Sequence, residues 1–213
     1  LAVQAAKAAA LAAGLQIREA CQIAALVSVR RLVRGALEQG GGPEEAARAA
    51  VQAARYAGLA ADAAGLTAAL LSSKEVAAWM AEAQQSGSPA LVGSAAGEAA
   101  LLCWKTCESY GTDEGQHAPA SITSTWASGA AQALVALGVS PDRVAVAVKE
   151  MSLRCGMGPQ EASLSTARIT ARAVTDAHLA AGRDHAAVAG AAKAAARLCG
   201  VEEGKAAGIA ASV

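Results

Sequence analysis

The sequence predicts an all-α protein, and three observations predict it. Of 213 residues, 62 are alanine, the best helix former, and Leu, Arg, Lys, Gln and Glu supply much of the remainder. Runs of β-branched residues with period two, the mark of a half-buried strand, are absent. Glycine and proline recur at intervals that suit helix stops and starts.

Taken in order, those signals set the elements. A first helix over about 2–13 stops at Gly14, and a second over about 17–37 stops at Gly40-Gly41-Gly42. Pro43 with Glu44 and Glu45 opens a third, because proline suits the first turn and acids suit the positive end of the helix dipole. It ends at Gly58. Ser72 and Glu75 have the spacing of a capping box ahead of Val76 and Trp79, so a helix start is expected there. Ser88-Pro89 opens a helix lasting to about Tyr110, and residues 111–121, with two glycines and a proline, read as the one long loop. Helices follow over about 122–137, from Ser140-Pro141 to Cys155, from Pro159 to about Ala181, and from Asp184 and Glu202.

An offset of 44 residues aligns Gly138 with Gly182, Lys149 with Lys193, and Cys155-Gly156 with Cys199-Gly200. Gly14 and Gly58 are also 44 apart. The architecture expected is therefore an Ala-rich multi-helix bundle or a short solenoid of two-helix units of about 44 residues, each unit covering its neighbour's apolar face. Residues 1–110 form one helical segment and 122–213 a second, separated by the loop 111–121 and either independent or one continuous domain.

Small side chains inside such a protein let helix axes approach to the short end of the usual spacing, about 8 Å. Each contact then contributes little, because a buried alanine removes little apolar area from water. Ile23-Ala-Ala-Leu-Val-Ser-Val29 in the second helix is wide enough in its apolar arc to suggest burial on most sides, by this chain or a neighbour.

Eighteen basic residues balance eighteen acidic ones, and aromatics are 2% of the chain. Neither a global field nor a set of stacking rings is available for nucleic acid. Arg18, Arg30, Arg31 and Arg34 read as the wet side of one helix. Five scattered cysteines, an odd number in a chain too long to need disulfide staples, point to a reducing intracellular compartment, cytoplasmic or organellar. The uncharged stretch 122–139 is about long enough to span a bilayer, but Thr123, Ser124, Thr125, Ser128 and Gln132 interrupt it and favour a buried helix.

Chemistry-bearing motifs are few. Gly200-Val-Glu-Glu-Gly204-Lys205-Ala206 lacks the spacing and the hydroxyl of a phosphate loop. Cys103 and Cys107 share a helix face with His117 in the following loop, donors that suit zinc, yet core packing is the favoured reading of buried cysteine. His178 and His185 lie near Asp176 and Asp184 without the geometry of a catalytic pair. Trp79, Trp104 and Trp126 are the only large rings and serve equally as core or as interface anchors. No catalytic, cofactor-binding or metal-binding residue is assigned.

The expectation for function is a non-enzymatic structural or accessory subunit of a larger assembly, joined to other protein subunits by close helix packing and binding no nucleic acid. A membrane-associated or pigment-binding helical protein is the first alternative, and a soluble enzyme without a legible motif the second.

Overall fold

The computed structural model describes residues 2–83, 88–107 and 118–213, and among them ten α-helices and no strand. They are α1 (Ala2–Ala12), α2 (Ile17–Glu38), α3 (Pro43–Tyr56), α4 (Ala61–Ala83), α5 (Pro89–Trp104), α6 (Ala120–Ala136), α7 (Pro141–Arg154), α8 (Pro159–Ala180), α9 (His185–Leu198) and α10 (Glu203–Ser212). The protein is all-α, as its composition requires.

Prolines occupy the first turns of α3, α5, α7 and α8. Glu19 and Glu45 reach back to the backbone N–H groups of Gln16 and Gly42, each at 3.0 Å, and Asp184 accepts from the Ala187 N–H at 2.8 Å. Orphan donors at these helix starts are thereby satisfied. The Ser72–Glu75 pair is no cap: both residues are in the middle of α4, whose start is Ala61, and both are buried. A buried polar pair within a long alanine-rich helix has the same spelling as a capping box, which is why the sequence misleads there. Ala120 and Ser121, expected in the loop, begin α6, and α5, expected to last to about Tyr110, already ends at Trp104 with Lys105 as its C-cap, so Cys107 lies beyond the helix that carries Cys103; residues 108–117 lie outside the described residues.

Packing is local along the chain. Among the described residues, every extensive contact joins a helix to the next one or to the next but one in order. One core cluster runs from Val29 of α2 to Ala173 of α8, and a second joins α7 and α8 to α9 and α10. Alanine dominates both, with Trp126, Leu134 and Met151 among the largest fully buried side chains. Helices α5 and α7 approach closely where Gly93 and Gly97 of α5 face the backbone of α7 at Ala147 and Met151. That four-residue glycine spacing is legible in the sequence and marks a small-residue interface, although nothing in composition alone says which helix it meets.

Helices α7 and α9 are each 14 residues long and start 44 residues apart, and so do α8 and α10 and, earlier, α2 and α4. Cys155 and Cys199 follow the last turns of α7 and α9 and are both buried. Each is followed by a glycine of positive φ, 91° at Gly156 and 78° at Gly200, the left-handed conformation that ends a helix most easily without a Cβ. The lengths of α8 and α10, 22 and 10 residues, differ.

Candidate functional site

Helix α2 is packed on one side. Side chains four apart share a stripe, and the buried stripes are Ala20, Ala24 and Ser28 beside Cys21, Ala25, Val29 and Val33. Ile23, Leu26 and Val27 face outward, with Leu26 and Val27 about half exposed at 49% and 50%. Leu15, Ile17 and Leu32 are exposed as well. The apolar run is therefore not covered on most sides by this chain. In the first half of the helix the packed side is alanine, serine and cysteine, which admit close approach of neighbouring helices; further on, Val29, Val33 and Leu37 fill it, and Ile23, Leu26, Val27 and Leu32 stay on the other side.

Leu26 and Val27 border an open groove of about 510 Å³ shared with α4 and α6, which contribute Leu71, Ala78, Ala133 and Leu137. Two ion pairs tie α2 to α4 along it, Arg30 Nε to Glu75 Oε1 at 3.1 Å and Arg34 to Glu82. Glu75 is only 6% exposed, so its carboxylate relies on the Arg30 guanidinium. A surface that is apolar at one end and carries ordered charge at the other suits a helix or chain segment laid across three helices.

A second groove, about 820 Å³, lies between α3 and the end of α5. Ala47, Val51 and Leu102 form its apolar part, and Arg55, Gln52 and Tyr56 its rim, where Glu44 and Arg48 pair with each other at 2.9 Å. Its polar lining residues lie along α3, with Thr106 facing them from beyond the end of α5.

The cysteines are packing groups. Cys103 Sγ donates to the Ala47 carbonyl at 3.6 Å and sits 3.4 Å from the Ser72 hydroxyl, and burial pushes its thiol up to about 12. Cys107 Sγ donates to the Asp62 carbonyl at 3.6 Å, and burial together with the Asp62 charge raises its pKa. Burial likewise lifts Cys155 to about 12 and Cys199 to about 11. Thiolates, the form needed for nucleophilic attack or metal binding, are disfavoured at these positions. His117 lies outside the described residues, and among the described ones no three His, Cys, Asp or Glu side chains gather as a metal would need.

The remaining sequence candidates are dispersed. Asp176 pairs with Arg172 at 3.6 Å and Asp184 caps α9, so neither is engaged as a partner for His178 or His185 in a catalytic pair. Lys205 lies 3.9 Å from Glu202, within the first turn of α10. Trp104 and Trp126 are buried in the main core, and Trp79 packs against it. No helix among the described residues is long and apolar enough to cross a membrane, and the stretch 122–139 is mostly α6, which buries Thr123 and Trp126. Compared with protein-family models, with curated proteins and with solved structures, the chain finds no match.

Proposed function

We propose that this chain is a structural or accessory subunit of a larger protein assembly, working by helix packing and not by catalysis. The observation that carries the reading is the exposed aliphatic face of α2, where Ile23, Leu26, Val27 and Leu32 stand outside although Val29, Val33 and Leu37 of the same helix are buried. Contiguous exposed aliphatics on a folded surface mark an interaction site. The partner envisaged is a helix of another subunit laid into the groove between α2, α4 and α6.

Chain-local packing and the recurrence of helix starts at 44 residues support a finer proposal, that the helices stack as two-helix units in a short solenoid. Five free, buried cysteines support a reducing compartment.

Size-exclusion chromatography with light scattering on the isolated chain tests the subunit reading. Self-association, or a stable complex with a partner subunit that Leu26→Ser with Val27→Ser abolishes, is the expected result. A monodisperse, heat-stable monomer that the double substitution leaves unchanged in every respect overturns it.

A further inference from the structure

We propose that α9 and α10 form a hinged cover that lifts off α7 and α8 while the rest of the protein stays folded, baring the face at Ala145, Ala167 and Ala171. This rests neither on the α2 surface nor on the subunit reading above.

The seam under these two helices has little apolar substance. Ala145 of α7 and Ala167 and Ala171 of α8 meet Ala192 and Ala196 of α9, Cys199 just beyond it, and Ala206 and Ile209 of α10, so all but two of the buried residues are alanine. The main core holds Trp126, Leu134 and Met151. Burial stabilises in proportion to apolar area, so the seam is held weakly for the number of residues in it. Polar tethers do not make up the difference. Elsewhere they join helix to helix: Arg30 to Glu75 between α2 and α4, Arg154 to Glu98 at 3.5 Å between α7 and α5, the Ser73 hydroxyl to the Trp126 carbonyl at 3.4 Å between α4 and α6, and Ser124 to Ser165 at 3.0 Å between α6 and α8. In the C-terminal pair the tethers turn inward. Lys193 of α9 bonds Glu203 of α10 at 2.9 Å, and Lys205 lies by Glu202. Among the described residues no ion pair runs from α9 or α10 to α7 or α8, and the polar group that meets them is the Thr170 hydroxyl beside the Cys199 thiol.

Unpaired polar atoms weaken the seam further. Side chains three and four apart share a helix face, and the stripe of Ala167 and Ala171 on α8 continues through Thr175 to His178. Thr175 Oγ1 and His178 Nδ1 are both buried without a hydrogen-bond partner among the described residues. Each has lost its water and gained nothing in return, so lifting the cover relieves both. The joint is short and free to turn. Residues 181–184 link α8 to α9, and Gly182 there has a φ of 68° with open space where a Cβ would stand. Lys193 and Glu203 keep α9 and α10 together, so the pair moves as one. Native proteins open locally in such cooperative units at free energies below that of global unfolding.

Three native cysteines serve as reporters. Cys199 is buried in the seam, whereas Cys103 and Cys155 are fully buried in the main core and become reachable only when that core opens. The full chain is alkylated with iodoacetamide in urea from zero to just below the unfolding transition, and the rate at each cysteine is read by peptide mass spectrometry. The Cys199 rate should rise about tenfold across that range while the other two stay unchanged, because urea favours any motion that exposes surface. Thr175→Val and, separately, His178→Leu each remove an unpaired atom, and each should slow Cys199 about fivefold to tenfold with no change at Cys103. Thr175→Ser, which keeps the hydroxyl, should bring no slowing. Thr175 and His178 are in the last two turns of α8, whereas Cys199 follows the end of α9, so an effect of one on the other separates lifting of the whole cover from fraying at Cys199 alone. Modification of all three cysteines as one event overturns the proposal. A Cys199 rate indifferent to urea, or one that neither Thr175→Val nor His178→Leu slows, overturns it as well.

Discussion

Gly93 of α5 lies against the backbone of α7 at Ala147, so closely that a Cβ built on the glycine would collide with the Ala147 carbonyl. One turn later, Gly97 faces the Met151 carbonyl and the Arg154 side chain, and a Cβ there would meet both at 3.3 Å. Neither obstacle at Gly93 can yield by a side-chain rotation, because backbone supplies it. The α5–α7 interface is therefore set by the absence of two methyl groups and not by the presence of large ones.

Gly93→Ala should destabilise the protein by about 1–3 kcal/mol, the usual cost of overpacking, despite alanine's better helix propensity. Gly35 of α2 supplies the internal control, since a Cβ there meets nothing within 4 Å. Gly35→Ala should stabilise by about 0.5–1 kcal/mol. Urea unfolding of the two variants reads both signs, and a neutral or stabilised Gly93→Ala would sink the account of this interface.

Leu26→Ser and Val27→Ser should each change unfolding free energy by no more than about 0.5 kcal/mol, because both side chains are half in water already. Val29→Ala, two residues on and fully buried, should cost more, on the order of 1–3 kcal/mol. Thermal melts compare the three. A cost at Leu26 or Val27 equal to that at Val29 would mean that the outward face already has a cover within this chain.

The buried thiols make stability depend on alkaline pH. Cys103 and Cys155 titrate at about 12 and Cys199 at about 11 in the folded chain, raised from an ordinary value of 9.0 by burial. The unfolded chain therefore loses these protons first, and stability falls as pH rises. The contribution is whole below about pH 8.5, drains as pH climbs from there toward 11–12, and is absent above. Urea midpoints at pH 7.5 and about 10 should show the loss, and Cys103→Ala should flatten the slope even though it lowers stability at both. A midpoint independent of pH over that range contradicts the burial of the thiols. In the same way, a disulfide-exchange reagent should label the native chain slowly and all five cysteines once it is unfolded.

What the sequence made legible was punctuation. Gly14, the Gly40–Gly42 run, Gly58 and the prolines at 43, 89, 141 and 159 bound helices within a residue or two of where signals of that kind place them. Facing was not legible. In a helix where alanine occurs on every side, the periodicity that normally separates core from surface is too weak to read, so the stretch Ile23–Val29 of α2 suggests burial on most sides and Ser72–Glu75 a terminus. The grooves were hidden for a related reason: Leu26 and Leu137 are far apart in sequence, and only the packing of α2 and α6 on α4 brings them to one groove.

Stack and bundle differ most clearly at the C-terminus. Helices α9 and α10 touch only α7, α8 and each other to any extent among the described residues, and their cluster of Ala167, Ala171, Ala192, Ala196 and Ile209 is separate from the main core. A stack of units, each stabilised by its own contacts and those of its neighbours, should survive removal of its last unit. Ending the chain after Gly182 should therefore leave a protein that keeps the helical signal of α1–α8 and still melts in one transition. Its stability should be lower, because Ala167, Ala171 and Ala145 lose the cover of α9 and gain water. Substituting Ala171 by Glu in the shortened chain should then be tolerated, whereas the same change in the full chain puts an unpaired charge in a buried site and costs several kcal/mol. Circular dichroism melts of the four proteins decide the matter. Collapse of the helical signal on removing α9 and α10 would mean that the ten helices share one indivisible core.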